Sequence, residues 1–360
     1  MRRRFFLASK RQLAYILWFK NRHHQKNTEL SEQINPQDPT EERFSISLRE
    51  YLIHGSLFVI TFLTTVLAGV QWLNKDPLEL TNFTSGFAYG FLILLMLGSH
   101  EFGHYVAARR HRVRSTLPFF LPFPSVLFGL LFPFGTLGAV IKLRSSIPSR
   151  KVIFDIGVAG PIAGFLVSVA ILIVGFMTLP PKEYLFTIHP EYEQLSTIPQ
   201  AGLTFGGTIF YSILGHVFAP SGAFVPPMNE IYHYPFLCVG WFGLFVTAMN
   251  LIPIAQLDGG HIAYAMFGTA YHKIAQVSLV ILVLLGTAGF LPLLNIPFSY
   301  GWTGWLFWAL LLIFFMRALK MNRPLLADET PLDARRMAIG WCCFFIFIGS
   351  FSLTPFTLEL

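Results

Sequence analysis

The sequence predicts an all-α polytopic membrane protein of about seven transmembrane helices, with one re-entrant, membrane-dipping loop that can close as a β-hairpin. Composition is the first of three observations behind this class: 54% of the 360 residues are hydrophobic and 12% charged, against roughly 25% charged in an ordinary soluble domain. The second is a series of apolar runs near 55–74, 87–108, 152–179, 234–254, 274–294, 301–319 and 338–355, each close to the ~20 residues that cross about 30 Å of hydrocarbon. The third is charge placement. Of the 26 Lys and Arg, all but Lys75 and Lys182 fall in alternate loops, the asymmetry that retains cationic loops on the cytoplasmic side.

Taken in order, residues 1–50 read as a cytosolic N-terminal arm, polar around NPQDPTEE (35–42) and poor in core-forming residues. The start, MRRRFFLASKRQLAYILWFK, has a basic n-region, but its apolar run Leu13–Phe19 is short and no small-residue cleavage site follows. We therefore read a retained amphipathic arm rather than a signal peptide. Residues 51–320 form the core, and 321–360 a cytosolic loop with a last transmembrane helix. Within the core, LPFFLPFPSVLFGLLFPFGTLGAVIK (117–142) holds four prolines and three glycines; such a backbone cannot run as a regular helix and must find partners inside protein. Residues 197–218, also glycine-containing, are expected at the interface or in a loop. Cys238, Cys342 and Cys343 lie in apolar stretches without a Cys-x-x-Cys pair and read as buried thiols. The net charge of +7 belongs to topology on an anionic leaflet. ARRHRVR (108–114) needs no nucleic-acid partner, and none is expected.

At the end of the second run stands SHEFGHYVAARR (99–110). His100 and His104, four residues apart on a helix, share one face and can each give one nitrogen to a single Zn²⁺. Glu101 between them can reach a water on that metal without being a ligand, the arrangement that metal-assisted peptide hydrolysis requires. Two imidazoles and a carboxylate facing lipid would cost several kcal/mol, so they belong to a protein interior or a wet cavity. Catalytic zinc takes three protein ligands and leaves a position open. Asp258, in the Leu-Asp-Gly-Gly turn of TAMNLIPIAQLDGGHI (247–262), is the candidate third. Both the second and fourth runs travel from outside to inside, so the H-E-x-x-H and the Asp arrive at one depth. His261 is a rival ligand. Asn250 reads as an amide donor to substrate or to a developing oxyanion, or as a helix–helix tie. Gly157, Gly160 and Gly164 in GVAGPIAG suit close helix packing and would leave room for a substrate strand beside the metal. His23, His24, His54 and His111 sit in loops or flanks and read as ordinary.

These motifs make the chain resemble the site-2 protease family of intramembrane zinc metalloproteases. Three blocks carry the likeness, HEFGHYVAARR (100–110), GTLGAVIKLRSSIPSRKVIFDIGVAGPIAGF (135–165) and NLIPIAQLDGGHI (250–262). The last two are similar to the subgroup of cyanobacteria and chloroplasts. The resemblance implies a zinc metalloendopeptidase that cuts within or near the transmembrane segments of membrane-protein substrates. It also implies one Zn²⁺ on His100, His104 and Asp258, and Glu101 as the base. It further implies that the proline-rich 117–142 segment holds substrate as an extended strand, which is physically sensible because a helix must be unwound before it is cut. The 180–233 loop is too short for the PDZ domain that many bacterial relatives insert.

Two other functions use the same residues. A metal transporter or sensor needs further polar groups along its spans, and the other runs hold almost none; an inactive scaffold would have lost a ligand or the Glu, and all four are present. The lipid bilayer and a transmembrane substrate are thus the expected partners. The expected site is a bacterial inner membrane with a cytosolic N-terminus, a plastid membrane being the alternative, since no Ser-rich, acid-poor transit peptide stands out.

Overall fold

A computed structural model describes residues 47–125, 134–254, 256–294, 296, 300–318 and 328–359. It is mostly helical. The helices are α1 (Leu48–Trp72), α2 (Phe87–Arg110), α3 (Arg150–Met177), α4 (Ile209–Phe218), α5 (Pro235–Leu251), α6 (Asp258–Phe267), α7 (Tyr271–Ala288), α8 (Thr303–Ala318) and α9 (Ala334–Ser350). Two antiparallel strand pairs accompany them, β1 (Phe119–Pro122) with β2 (Thr136–Val140), and β3 (Gly202–Phe205) with β4 (Phe356–Glu359).

The helices are apolar outward as well as inward. On α2, Phe91, Leu95, Phe102 and Val106 are exposed, while Leu92, Met96, His100 and His104 are buried. This polarity reverses that of a soluble helix and is what a hydrocarbon solvent selects, polar groups being placed where protein can satisfy them. Hydroxyls in the interior are tied to their own helices: Ser168 Oγ donates to the Gly164 carbonyl at 2.7 Å and Thr247 Oγ1 to that of Gly243 at 2.7 Å. Among the described residues, four helical segments are long and apolar enough to cross a membrane: Leu48–Trp72, Leu80–Arg110, Arg150–Met177 and Asp258–Ala288. A helix also lies in each of the other stretches expected to span, but these are shorter. The 17 residues of α5 rise only about 25 Å at 1.5 Å each, because the chain breaks before Pro253.

The centre of the molecule is α3, which packs along α2, α5 and α6. Glycines set these approaches. A Cβ on Gly103 would lie 2.4 Å from the Ala159 carbonyl oxygen, and one on Gly240 would lie 2.4 Å from Leu172 Cγ. At the start of α3, Ser149 caps the helix by accepting from the Val152 N–H, and Arg150 Nε donates to the Ala265 carbonyl of α6 at 2.8 Å. One turn on, Asp155 receives both Nε and Nη2 of Arg336 from α9, at 2.8 and 2.7 Å, and pairs with His111 at 2.9 Å.

The structure changes several sequence readings. Residues 209–218 are the helix α4, capped by Thr208, rather than a loop, and β3 just before it pairs with β4. Because those two strands lie far apart in sequence, no local pattern announces the pair. Cys238 and Cys343 are buried, but Cys342 is exposed, since adjacent residues on a helix point to different faces. Asp258 opens α6 rather than sitting in a turn that closes the preceding helix. The N-terminal arm at 1–46 and the tip of the proline-rich segment at 126–133 lie outside the described residues. If glycine sets the α2–α3 approach, Gly103→Val should destabilise the protein by about 1–3 kcal/mol, read as a lowered thermal midpoint in detergent; an unchanged midpoint would contradict this packing.

Candidate metal centre

Helix α2 carries His100 and His104 on the face turned to α3, where they are 4% and 7% exposed. Asp258, the first residue of α6, completes a group whose ligand atoms converge on one point. His104 Nε2 lies 3.2 Å from His100 Nε2 and 3.2 Å from Asp258 Oδ2, and His100 Nε2 lies 3.2 Å from the same carboxylate oxygen. The proton positions make this triangle informative. His104 Nδ1 is 2.7 Å from the Ile156 carbonyl oxygen, which can only accept, so Nδ1 carries the proton and Nε2 presents a lone pair. A lone pair and a carboxylate oxygen face each other across 3.2 Å in an apolar interior, an unfavourable arrangement unless a proton or a cation stands between them. The sides of the triangle match the ~3.3 Å that separates two ligands held at 2.0–2.1 Å around tetrahedral zinc. The donor set of two imidazoles and a carboxylate therefore fits a catalytic zinc site with a position left open.

Glycines create the space. A Cβ on Gly160 would stand 2.1 Å from His104 Nε2, and one on Gly164 would stand 3.1 Å from His100 Nδ1. The room expected beside this stripe for a substrate strand is filled instead by the two imidazole rings. Gly157 is different: its added Cβ would meet His261 Cβ at an ordinary 3.4 Å. Gly259 shapes the other side, since a Cβ there would lie 2.0 Å from the Leu251 carbonyl oxygen. Without that close approach α6 could not turn back on the end of α5 and bring Asp258 to the histidines. A carboxylate in the first turn of α6 also faces the positive end of that helix dipole.

A cavity of about 580 Å³ opens on the triangle. Glu101, Asn250, Gln256 and His261 line it, and so do Val140, Ile141 and Lys142 at the end of β2. His261 shares the cavity but stands outside the convergent group, so the rival ligand of the sequence analysis is not brought to the point. The Lys142 carbonyl accepts from the Thr116 N–H at 2.9 Å, and the Arg144 N–H donates to the Arg114 carbonyl at 2.7 Å. In an extended chain the intervening residues turn their backbone groups the other way. Ile141 accordingly gives its backbone N–H to the Glu101 carboxylate, and this end of the strand borders the cavity.

The profile of peptidase family M50 matches residues 87–293, from the start of α2 to just beyond α7. The chain belongs to peptidase family M50. It is similar to "Probable zinc metalloprotease EGY1, chloroplastic" of Arabidopsis thaliana, 26% identical over an alignment of 315 positions that covers 81% of this chain and 51% of the relative. It is also similar to "Probable zinc metalloprotease EGY2, chloroplastic" of Oryza sativa subsp. indica, at 28% over 81% of this chain and 48% of the relative. "Probable zinc metallopeptidase EGY3, chloroplastic" of Arabidopsis thaliana matches at 26% over 95% of this chain and 58% of the relative. The chain thus spans about half the length of the relatives it matches.

In this M50 chain His54 and His111, which read as ordinary in the sequence, have partners outside the metal centre. His54 Nδ1 lies 3.0 Å from the Pro118 carbonyl oxygen, and His111 pairs with Asp155; His23 and His24 lie outside the described residues. Sequence reasoning missed Ile156, whose carbonyl orients His104, because a backbone group leaves no signature in a sequence. The roles of Gly160 and Gly164 could have been found, since glycines four apart on a helix that must face H-E-x-x-H leave room for side chains as readily as for a helix. Gly160→Ala should drive the His104 ring off its position and weaken zinc binding here about 10–100-fold, the scale of a lost orienting contact, whereas Gly157→Ala should leave it unchanged. Zinc titration of the two variants measures both, and equal affinities would refute the role given to Gly160.

Proposed function

We propose that the chain is an intramembrane zinc metalloendopeptidase that hydrolyses peptide bonds within or near the transmembrane segments of membrane-protein substrates. One observation carries this reading: two imidazole nitrogens and a carboxylate oxygen converge beside Glu101, at the wall of a cavity that membrane-length helices help to line. The relatives' names agree, each being called a zinc metalloprotease or metallopeptidase. Zinc held by His100, His104 and Asp258 would supply a Lewis acid that acidifies water toward neutral pH and polarises a peptide carbonyl.

The chain's own residues do the rest. Glu101 takes the proton of the attacking water as the C–O bond forms and then gives it to the amide nitrogen as the C–N bond breaks, with no net change at the carboxylate. Asn250, which also lines the cavity, offers its amide N–H to the substrate carbonyl oxygen as charge develops there. A substrate helix has its carbonyls satisfied internally and must be locally unwound. The extended chain at the end of β2, which lines the cavity, would take up the freed backbone groups by strand addition, with the 117–142 segment dipping into the membrane as the expected re-entrant hairpin. The expected partners follow, a transmembrane protein substrate and the lipid bilayer. The seven crossings and the cytosolic N-terminus rest on the apolar runs and the charge asymmetry; of the two membranes considered, the plastid membrane is the one that the relatives' chloroplastic names fit.

Glu101→Gln should keep zinc bound and lower cleavage of a model transmembrane substrate by about 10²–10⁴-fold; full activity with zinc in place would overturn the mechanism. Asn250→Ala should leave zinc content and substrate affinity near their starting values and lower kcat by about 10²–10³-fold. A kcat unchanged in that variant would reduce Asn250 to a helix–helix tie.

A further inference from the structure

A second convergent group lies away from the cavity, at the opposite end of α5. Among the described residues, His189, Glu230 and His233 form the other cluster able to hold a metal ion. His233 Nδ1 is 2.6 Å from the Trp72 carbonyl oxygen at the end of α1. That oxygen can only accept, so Nδ1 carries the proton and Nε2 is a bare lone pair. His189 Nδ1 is 3.0 Å from Glu191 Oε1, and its proton is fixed in the same way. The two Nε2 atoms nevertheless face each other at 2.9 Å. Glu230 closes the group: Oε1 accepts from Tyr192 Oη and Asn229 Nδ2, each at 3.1 Å. Its Oε2 has no hydrogen-bond partner and points at the imidazoles, 3.5 Å from His233 Nε2 and 3.8 Å from His189 Nε2. The Glu230 side chain is 1% exposed and that of His233 is fully buried, so water does not relieve the carboxylate.

We propose that His189, Glu230 and His233 bind a second divalent transition-metal ion, zinc by the match of two imidazoles and one carboxylate. The arrangement repeats that of the first centre. Each imidazole donates its far N–H to an oxygen that fixes the tautomer, which is how metal-ligating histidines are held, and three unprotonated atoms are left pointing inward. The ligands come from two separate stretches of the 180–234 connection, and the orienting carbonyl comes from α1, so the ion would fasten that connection to the end of α1. Because His233 precedes α5 and Asp258 follows it, the two sites stand about 25 Å apart, the length of 17 residues of helix at 1.5 Å each. This inference is independent of the proposed hydrolytic function.

Zinc content of the untagged full chain, purified in detergent and dialysed against a weak chelator, tests it. Wild type should retain two zinc ions per chain, the His100→Ala/His104→Ala variant one, and the His189→Asn/Glu230→Gln variant one. A single ion in wild type that survives the second pair of substitutions and is lost with the first overturns the second site and leaves the hydrolase reading standing. A single ion with the opposite dependence supports the second site and removes the catalytic zinc. If the cluster variant does not fold, histidine modification on wild type decides. Zinc should protect His189, whose side chain is 14% exposed, from diethyl pyrocarbonate by at least about tenfold over the metal-stripped chain, and equal reactivity overturns the proposal.

Discussion

Lone pairs that face one another in an apolar interior are the constraint around which this fold is arranged. An imidazole nitrogen and a carboxylate oxygen repel at hydrogen-bond distance unless something positive lies between them, and low polarity sharpens the repulsion. His100, His104 and Asp258 are held in that state by everything nearby. The Ile156 carbonyl sets the His104 tautomer, the absence of side chains at Gly160 and Gly164 admits both rings, and the tight return at Gly259 delivers the carboxylate. Relaxing any of these would relieve the repulsion by letting the groups separate. The helices therefore supply rigidity where a single side chain could not.

Much of this arrangement was legible in the sequence. H-E-x-x-H at the end of an apolar run places His100 and His104 on one face because spacing on a helix fixes it, and Asp258, the third residue singled out from the sequence, does meet them. The details that failed are those in which a backbone group or a distant segment decides. Within the stretch 197–218, expected at the interface or in a loop, residues 209–218 form a helix because Thr208 caps it and its apolar face meets the core. The Leu-Asp-Gly-Gly stretch at 257–260 reads as a turn in sequence, yet its Asp258 is the first residue of α6. Shorter helices such as α5 and α9 fall in the expected places while lacking the length to span by themselves.

The second cluster shows a different limit. Glu230 and His233 stand three apart, a spacing as suggestive as that of His100 and His104, but they sit on a short 3-10 turn rather than a long amphipathic helix. Their partner His189 arrives from another part of the connection. No periodicity joins them; only the fold brings the three atoms together. Chemistry carried by one helix is visible in one dimension, and chemistry assembled by loops is not.

The pairing of Gly202–Phe205 with Phe356–Glu359 has a kinetic consequence. The strands are separated in the chain by α4 to α9, so the second strand leaves the ribosome only after every intervening helix has been made. Loop-closure entropy over such a separation disfavours early pairing. Trp241 Nε1 donates to the Gly206 carbonyl beside this sheet, and Trp305 Nε1 donates to that of Leu353. Closure of the sheet is thus a late event in biogenesis that locks helices already inserted. Until it occurs, the middle of the chain waits with an open edge, a segment that quality-control machinery can sense as unfinished.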